Sequence, residues 1–257
     1  MKVQLQLETI PVWDGLKEGS ECFLCSLMKT AEEDGVRYYL SSAVMTPEVR
    51  VETNTYGFCS HHMHLLAEGG KPQSLALVMD TYYEENKRLM SSALDKAIAE
   101  TRNARKAEKA ASAFFDIVHE REKGCLICSR MDDRLLRYCY TIASLWRDDQ
   151  DFRTALEASK GFCMHHTEAL IRIAKEALSG GDLASFTSSM LRLLKTNLDR
   201  VQHDDWWMTQ KYKSENKDKP WNGCEDAQKR AVYKLIGEAR VIDPAKKKRA
   251  PPVLIFR

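Results

Sequence analysis

A chain of 257 residues with 39 basic and 37 acidic side chains, net +2, has no global field to recruit nucleic acid or an acidic partner. Its 44% hydrophobic and 30% charged content is that of an ordinary globular protein, with apolar material for one large core or two modest ones. No stretch is apolar and long enough to span a bilayer, and the opening MKVQLQLETIPVWDGL has no export-signal core, so a cytoplasmic protein with reduced thiols is expected.

Twelve glycines and seven prolines favour helices throughout. Residues 1–21 read as irregular, with Ile10-Pro11-Val12-Trp13 as an apolar clasp. A helix is expected from the Cys22-Phe-Leu-Cys25 pair, with Cys25, Met28, Val36, Tyr39 and Ala43 on one side, ending at Thr46-Pro47. A turn then leads to Gly57-Phe58-Cys59, and a short helix follows as far as Gly69-Gly70.

From Gln73 to Lys123 neither glycine nor proline occurs, and Leu75, Val78, Tyr82, Leu89, Ala93 and Ala97 mark a helical stripe. One helix of that length would reach about 75 Å, against a globule about 45 Å across. A break is therefore expected between Asn103 and Ser112, followed by a piece carrying Ala111, Phe114, Phe115 and Val118.

A helix from Cys125 should carry Met131, Leu135, Cys139, Ile142 and Trp146. A short helix over 148–159 should close at a left-handed Gly161, and another should run from Cys163 to Leu178. Asp182 is the expected cap of a last long helix with Phe186, Met190, Leu193, Asn197 and Val201 along one side. After a polar linker over 213–222 come a helix from Glu225 to Gly237 and a flexible tail with Lys246-Lys-Lys-Arg249 and Pro251-Pro252.

Across this plan runs one duplicated signature. Cys22-x-x-Cys25 and Cys125-x-x-Cys128 are 103 residues apart, and Gly57-Phe-Cys59-Ser-His61-His62 and Gly161-Phe-Cys163-Met-His165-His166 are 104 apart. Val49-Arg50, Met79 and Asn86 match Phe152-Arg153, Met190 and Asn197. The expected fold is an all-α, internally duplicated helical bundle. Residues 1–110 and 111–212 would each be a repeat with a metal site, and 213–257 would hold the linker, last helix and basic tail.

CxxC puts two sulfurs on one side of a tight turn or first helical turn, the separation a tetrahedral ion needs. CxxH does the same with one imidazole. The expected sets are Cys22, Cys25, Cys59 and His62, and Cys125, Cys128, Cys163 and His166, each pinning two helix starts together. His61 and His165 are the alternatives to the outer histidines, or their hydrogen-bonded neighbours. Zinc, two ions per chain, suits a closed Cys₃His set, with an iron–sulfur cluster as the alternative. Glu32, Glu33, Asp132 and Asp133 could serve as bases at a catalytic zinc, but read as solvated faces. Cys139 reads as core, Cys224 as an incidental thiol, with a reactive helix-start thiol of lowered pKa as the alternative, and His64, His119 and His203 as surface or packing residues. Trp206-Trp207 reads as packing or interface, and the KKKR run is weak evidence for phosphate. No phosphate loop, dinucleotide fingerprint or Ser/His/Asp arrangement is present in the sequence.

IPVWD, the helix-opening CxxC, the twice-used FR…GFCxxH block (Val49 replacing the first Phe) and CEDAxxRAVYKLIG resemble an uncharacterised bacterial family of unknown function. The resemblance covers about Thr9 to Gly237. It implies a cytoplasmic bacterial protein without an assigned activity, with Cys22, Cys25, Cys59, His62, Cys125, Cys128, Cys163 and His166 as the motif positions.

A zinc-binding module that binds or scaffolds an unknown protein partner is the first functional expectation. An iron–sulfur or dithiol redox protein is the second, and a metal-dependent enzyme with its site between the repeats the third. No catalytic residue emerges from the sequence, which leans away from an enzyme.

Overall fold

A computed structural model describes residues 5–100 and 104–238. Every regular element among them is helical: α1 (Leu5–Lys17), α2 (Phe23–Tyr39), α3 (Pro47–Tyr56), α4 (Ser60–Glu68), α5 (Pro72–Ala99), α6 (Ala104–Glu122), α7 (Leu126–Asp148), α8 (Gln150–Glu157), α9 (Met164–Ala174), α10 (Gly180–Lys211) and α11 (Ala227–Ile236). The all-α expectation is met. The KKKR and Pro-Pro tail lies outside the described residues.

Contacts gather the chain into two compact units. Among the described residues, one holds 5–30 and 133–238; the other is Ala31–Asp132. The boundaries fall inside α2 and α7.

The first unit has the larger core. On α7, Leu135, Cys139, Ile142 and Trp146 are buried, and on α10 so are Phe186, Met190, Leu193, Asn197 and Val201. Both stripes run as the periodicity predicts, because helix spacing puts these residues on one face. α1 corrects the expectation of an irregular start: the helix runs straight through Pro11. An interior proline costs a helix on the order of 3 kcal/mol. Burial opposes that cost here, since Val12 and Leu16 are buried and Trp13 meets Phe152 edge-on at 5.1 Å. Glu8, also buried, faces Arg137 at 3.0 Å and Arg134 at 3.6 Å. α10 begins earlier than expected, with Ser179 at its cap position and Asp182 inside its first turn.

In the second unit, α2 stops at Tyr39, a 3-10 turn spans Ser42–Met45, and Pro47 opens α3 where it was expected only to end a helix. Proline suits a first helical position, where its missing N–H has no partner to lose. The break between α5 and α6 also comes earlier than expected. α6 runs unbroken through Ala104–Ser112, a stretch rich in strong helix formers. This long hairpin is thinly packed: α5 buries only Val78, and α6 buries no residue. Arg121 ties α6 back, donating to the carbonyls of Asn54 and Thr55 at the end of α3 and to Asn86 Oδ1. Asn86 and its counterpart Asn197 make parallel bonds. Each donates to the carbonyl four residues back and accepts from an arginine Nε, of Arg121 and Arg200 respectively.

Candidate metal centres

Every motif pair sits at a helix start in the same way. Cys22, Cys59, Cys125 and Cys163 immediately precede α2, α4, α7 and α9, and Cys25, His62, Cys128 and His166 are third in those helices. This is the spacing of an N-cap and its N3 partner. Cys125 and Cys163 sulfurs accept the N–H groups of Cys128 and His166, both at 3.4 Å. Free N–H groups and the positive helix end favour negative sulfur at each start.

Gly57 and Gly161, two residues before the third cysteines, both have positive φ, 62° and 69°. A side chain at Gly57 would strike Tyr82, and one at Gly161 would strike Leu193. Gly124 fits against the Tyr56 carbonyl, and the Gly57 carbonyl accepts Leu126 N–H at 3.1 Å, fastening the α4 start to the α7 start.

The structure corrects the expected pairing. The first CxxC meets the second CxxH block, gathering Cys22, Cys25, Cys163 and His166; the second CxxC meets the first, gathering Cys59, His62, Cys125 and Cys128. The reason lies in the helix after Cys22. Phe58, beside Cys59, packs 5.0 Å from Tyr39 at the last residue of α2, whereas Cys22 and Cys25 are at its beginning. Seventeen residues of helix separate those positions by about 25 Å. Phe162, beside Cys163, packs instead on Phe23, at 4.9 Å.

In the first cluster His166 Nδ1 lies 3.3 Å from Cys22 Sγ, 3.3 Å from Cys25 Sγ and 3.4 Å from Cys163 Sγ, and Cys25 and Cys163 sulfurs are 3.9 Å apart. In the second, His62 Nδ1 lies 3.2 Å from Cys59, 3.2 Å from Cys125 and 3.4 Å from Cys128, and Cys59 and Cys128 sulfurs are again 3.9 Å apart. A tetrahedral ion with metal–sulfur bonds of about 2.3 Å needs sulfur–sulfur edges of about 3.8 Å and slightly shorter sulfur–nitrogen edges. Both clusters have that size. A disulfide needs about 2.05 Å, and all eight cysteines are free.

Titration in the clusters follows from crowding. Burial, with Cys163 and Cys25 sulfurs close by, pushes the Cys22 thiol up, while hydrogen bonds from Cys163 and Cys22 hold Cys25 low. Hydrogen bonds with Cys125 and Cys59, then burial, push Cys128 up; hydrogen bonds with Cys125 and Cys128 hold Cys59 low. Burial alone would lower both histidines. The sulfurs of Cys163 and Cys25 nevertheless raise His166 to about 9, and Cys125, Cys59 and Glu32 raise His62 to about 11. Three sulfurs and one imidazole nitrogen converge in each cluster, a donor set that could hold a divalent cation.

The surroundings differ. Residues of the first cluster are all buried, and Glu238 N–H points at Cys25 Sγ at 3.4 Å. Lys234 on α11, buried, donates to the carbonyls of Glu21 (2.6 Å) and Lys160 (2.8 Å) and pairs with Glu21, which Arg200 also holds at 2.6 Å. Burial lowers the Lys234 pKa and Glu21 opposes that. His166 Nε2 is buried with no hydrogen-bond partner among the described residues.

The second cluster is half-open: Cys59 and Cys128 are partly exposed. Glu32 Oε1 faces His62 Nε2 at 3.1 Å and His61 Nε2 at 2.9 Å, and those imidazoles hold its pKa below the usual carboxylate range. Glu32 is therefore not the solvated-face residue expected; it orients the cluster histidine. At the 103-residue offset of the two CxxC motifs stands Leu135, buried and apolar.

Other sequence-singled residues stay apart from both clusters. His165, His64, His119 and His203 are exposed, as is Glu33, while Asp132 and Asp133 are half-buried. Cys139 is core. Cys224 is buried, and burial with nearby Asp204 raises its thiol pKa, so the lowered-pKa alternative is not met. Trp207 Nε1 donates to the Pro220 carbonyl, beside a half-exposed Trp206. Lys234, Glu21, Arg200 and the Glu238 amide were invisible to metal-ligand spacing; Lys234 stands in the CEDAxxRAVYKLIG segment, which gave no sign of its packing role.

A family model described as a family of unknown function, DUF6062, matches residues 1–241. No curated protein and no solved structure matches the chain. No described helix is long and apolar enough to cross a membrane.

Proposed function

This chain belongs to the family of unknown function DUF6062, and we propose that it is a zinc protein whose two ions are structural, in a helical module that binds or scaffolds a protein partner. The observation that carries the reading is the matched size of the two Cys₃His cages, each closed by four protein ligands. A closed set leaves no position for substrate, whereas a catalytic zinc keeps one open. Cys22, Cys25, Cys163 and His166 would hold one ion, and Cys59, His62, Cys125 and Cys128 the other. Each ion would join two helix starts distant in sequence, replacing a core seam. Structural zinc contributes on the order of 10 kcal/mol of apparent free energy to folding, comparable to a whole domain's margin. Free thiols suit a reducing, cytoplasmic setting.

Elemental analysis of protein purified with and without oxygen tests this. Two zinc per chain, no visible iron–sulfur absorbance and loss of helicity on chelation are expected. Iron with sulfide, or full helicity after both ions are removed, would overturn it.

A further inference from the structure

The α5–α6 hairpin lacks a core of its own. Two-helix hairpins without buried side chains are marginal in water, yet here two long helices pair with only Val78 buried. Along one side runs a groove of about 700 Å³ floored by Leu89, Ala93, Ala110, Ala113 and Ile117. Lys106 and Lys109 of α6 line it as well. Asp116 and Glu120, one and two turns on, follow the same stripe of α6.

We propose that this groove is covered by a second copy of the chain, its hairpin lying antiparallel to form a four-helix bundle. The charges carry the assignment. A twofold axis between Ser112 and Ala113 sets residue 109 opposite 116. Lys109 then meets the partner's Asp116, a pair that occurs twice by symmetry. Small Ala110 and Ala113 at the crossing let the helices approach, and Leu89 and Ile117 fill the seam beside them. A parallel arrangement would instead set cation against cation. The available face is about 28 Å long along α6 and about 20 Å across two helices, about 560 Å² in outline. That footprint, with side-chain relief, approaches the roughly 800 Å² per partner of a standard interface.

Sedimentation equilibrium of the full metal-loaded chain at micromolar concentration should give twice 29.4 kDa. Lys109→Glu and Asp116→Lys should each weaken the dimer at least about tenfold, and the double reversal should restore it to within about threefold. Both positions are exposed, so circular dichroism should show unchanged helicity. A monomer under these conditions would overturn the proposal, as would a dimer that neither reversal weakens.

Discussion

The two cysteine–histidine clusters share a ligand set, helix-start placement and cage dimensions, but the protein around them differs. The first is buried whole, beneath α11 and beside the large core of its unit. The second keeps two cysteines partly exposed, in a unit whose longest hairpin buries almost nothing. Only the second has a carboxylate on its histidine; the first leaves His166 Nε2 buried and unpartnered among the described residues. Identical ligand chemistry can therefore be anchored by surrounding packing in one place and by a directed carboxylate in the other.

The comparison breaks most sharply when a ligand is removed. Cys163→Ser should cost the first ion and most of the stability of its unit, on the order of 10 kcal/mol of apparent free energy, giving aggregated or molten protein. Cys59→Ser should lose the second ion and leave the first unit folded. Metal content and urea unfolding of both variants would show whether the asymmetry is real.

Lys234→Met tests the packing that supports the first cluster. It removes one of the two cations on Glu21, which keeps Arg200, and leaves the Glu21 and Lys160 carbonyls without their donor, for an expected loss of about 1–3 kcal/mol. Denaturant midpoints should fall accordingly, with the second ion retained.

Glu32→Gln sharpens the other side. It should weaken the metal affinity proposed for the second cluster about 10- to 100-fold and leave the first untouched, read by competition with a chromophoric chelator. Leu135, its counterpart, offers the control: Leu135→Ala should lower stability without a selective change in metal affinity.

The smallest effect appears only in alkali. Burial, opposed by Arg130, raises Tyr39 to about 12 from an ordinary value near 10. A raised folded pKa favours the neutral phenol, so its contribution is complete below pH about 10 and is lost as pH rises through about 12. Tyr39→Phe should flatten the loss of second-unit stability across that window, followed by thermal unfolding.

Periodicity was sufficient where helices bury a stripe, as on α7 and α10, because spacing along a helix fixes which side chains share a face. It failed at α1, where tertiary burial overrides Pro11, and at the α5–α6 break. It overestimated the packing of α5, since an apolar stripe in sequence does not reveal whether anything covers it.

For the site, the sequence alone determined the eight residues and their shared spacing, since N-cap and third-position side chains must converge at a helix start. It could not determine which pair faces which. The two copies offer chemically equivalent partners, and only the lengths and packing of α2 and α7 choose between them. The tertiary structure also decided the inequality of the clusters, by bringing Glu32 to one histidine and α11 over the other set. Those contacts join residues far apart in the chain, and their geometry is fixed by packing.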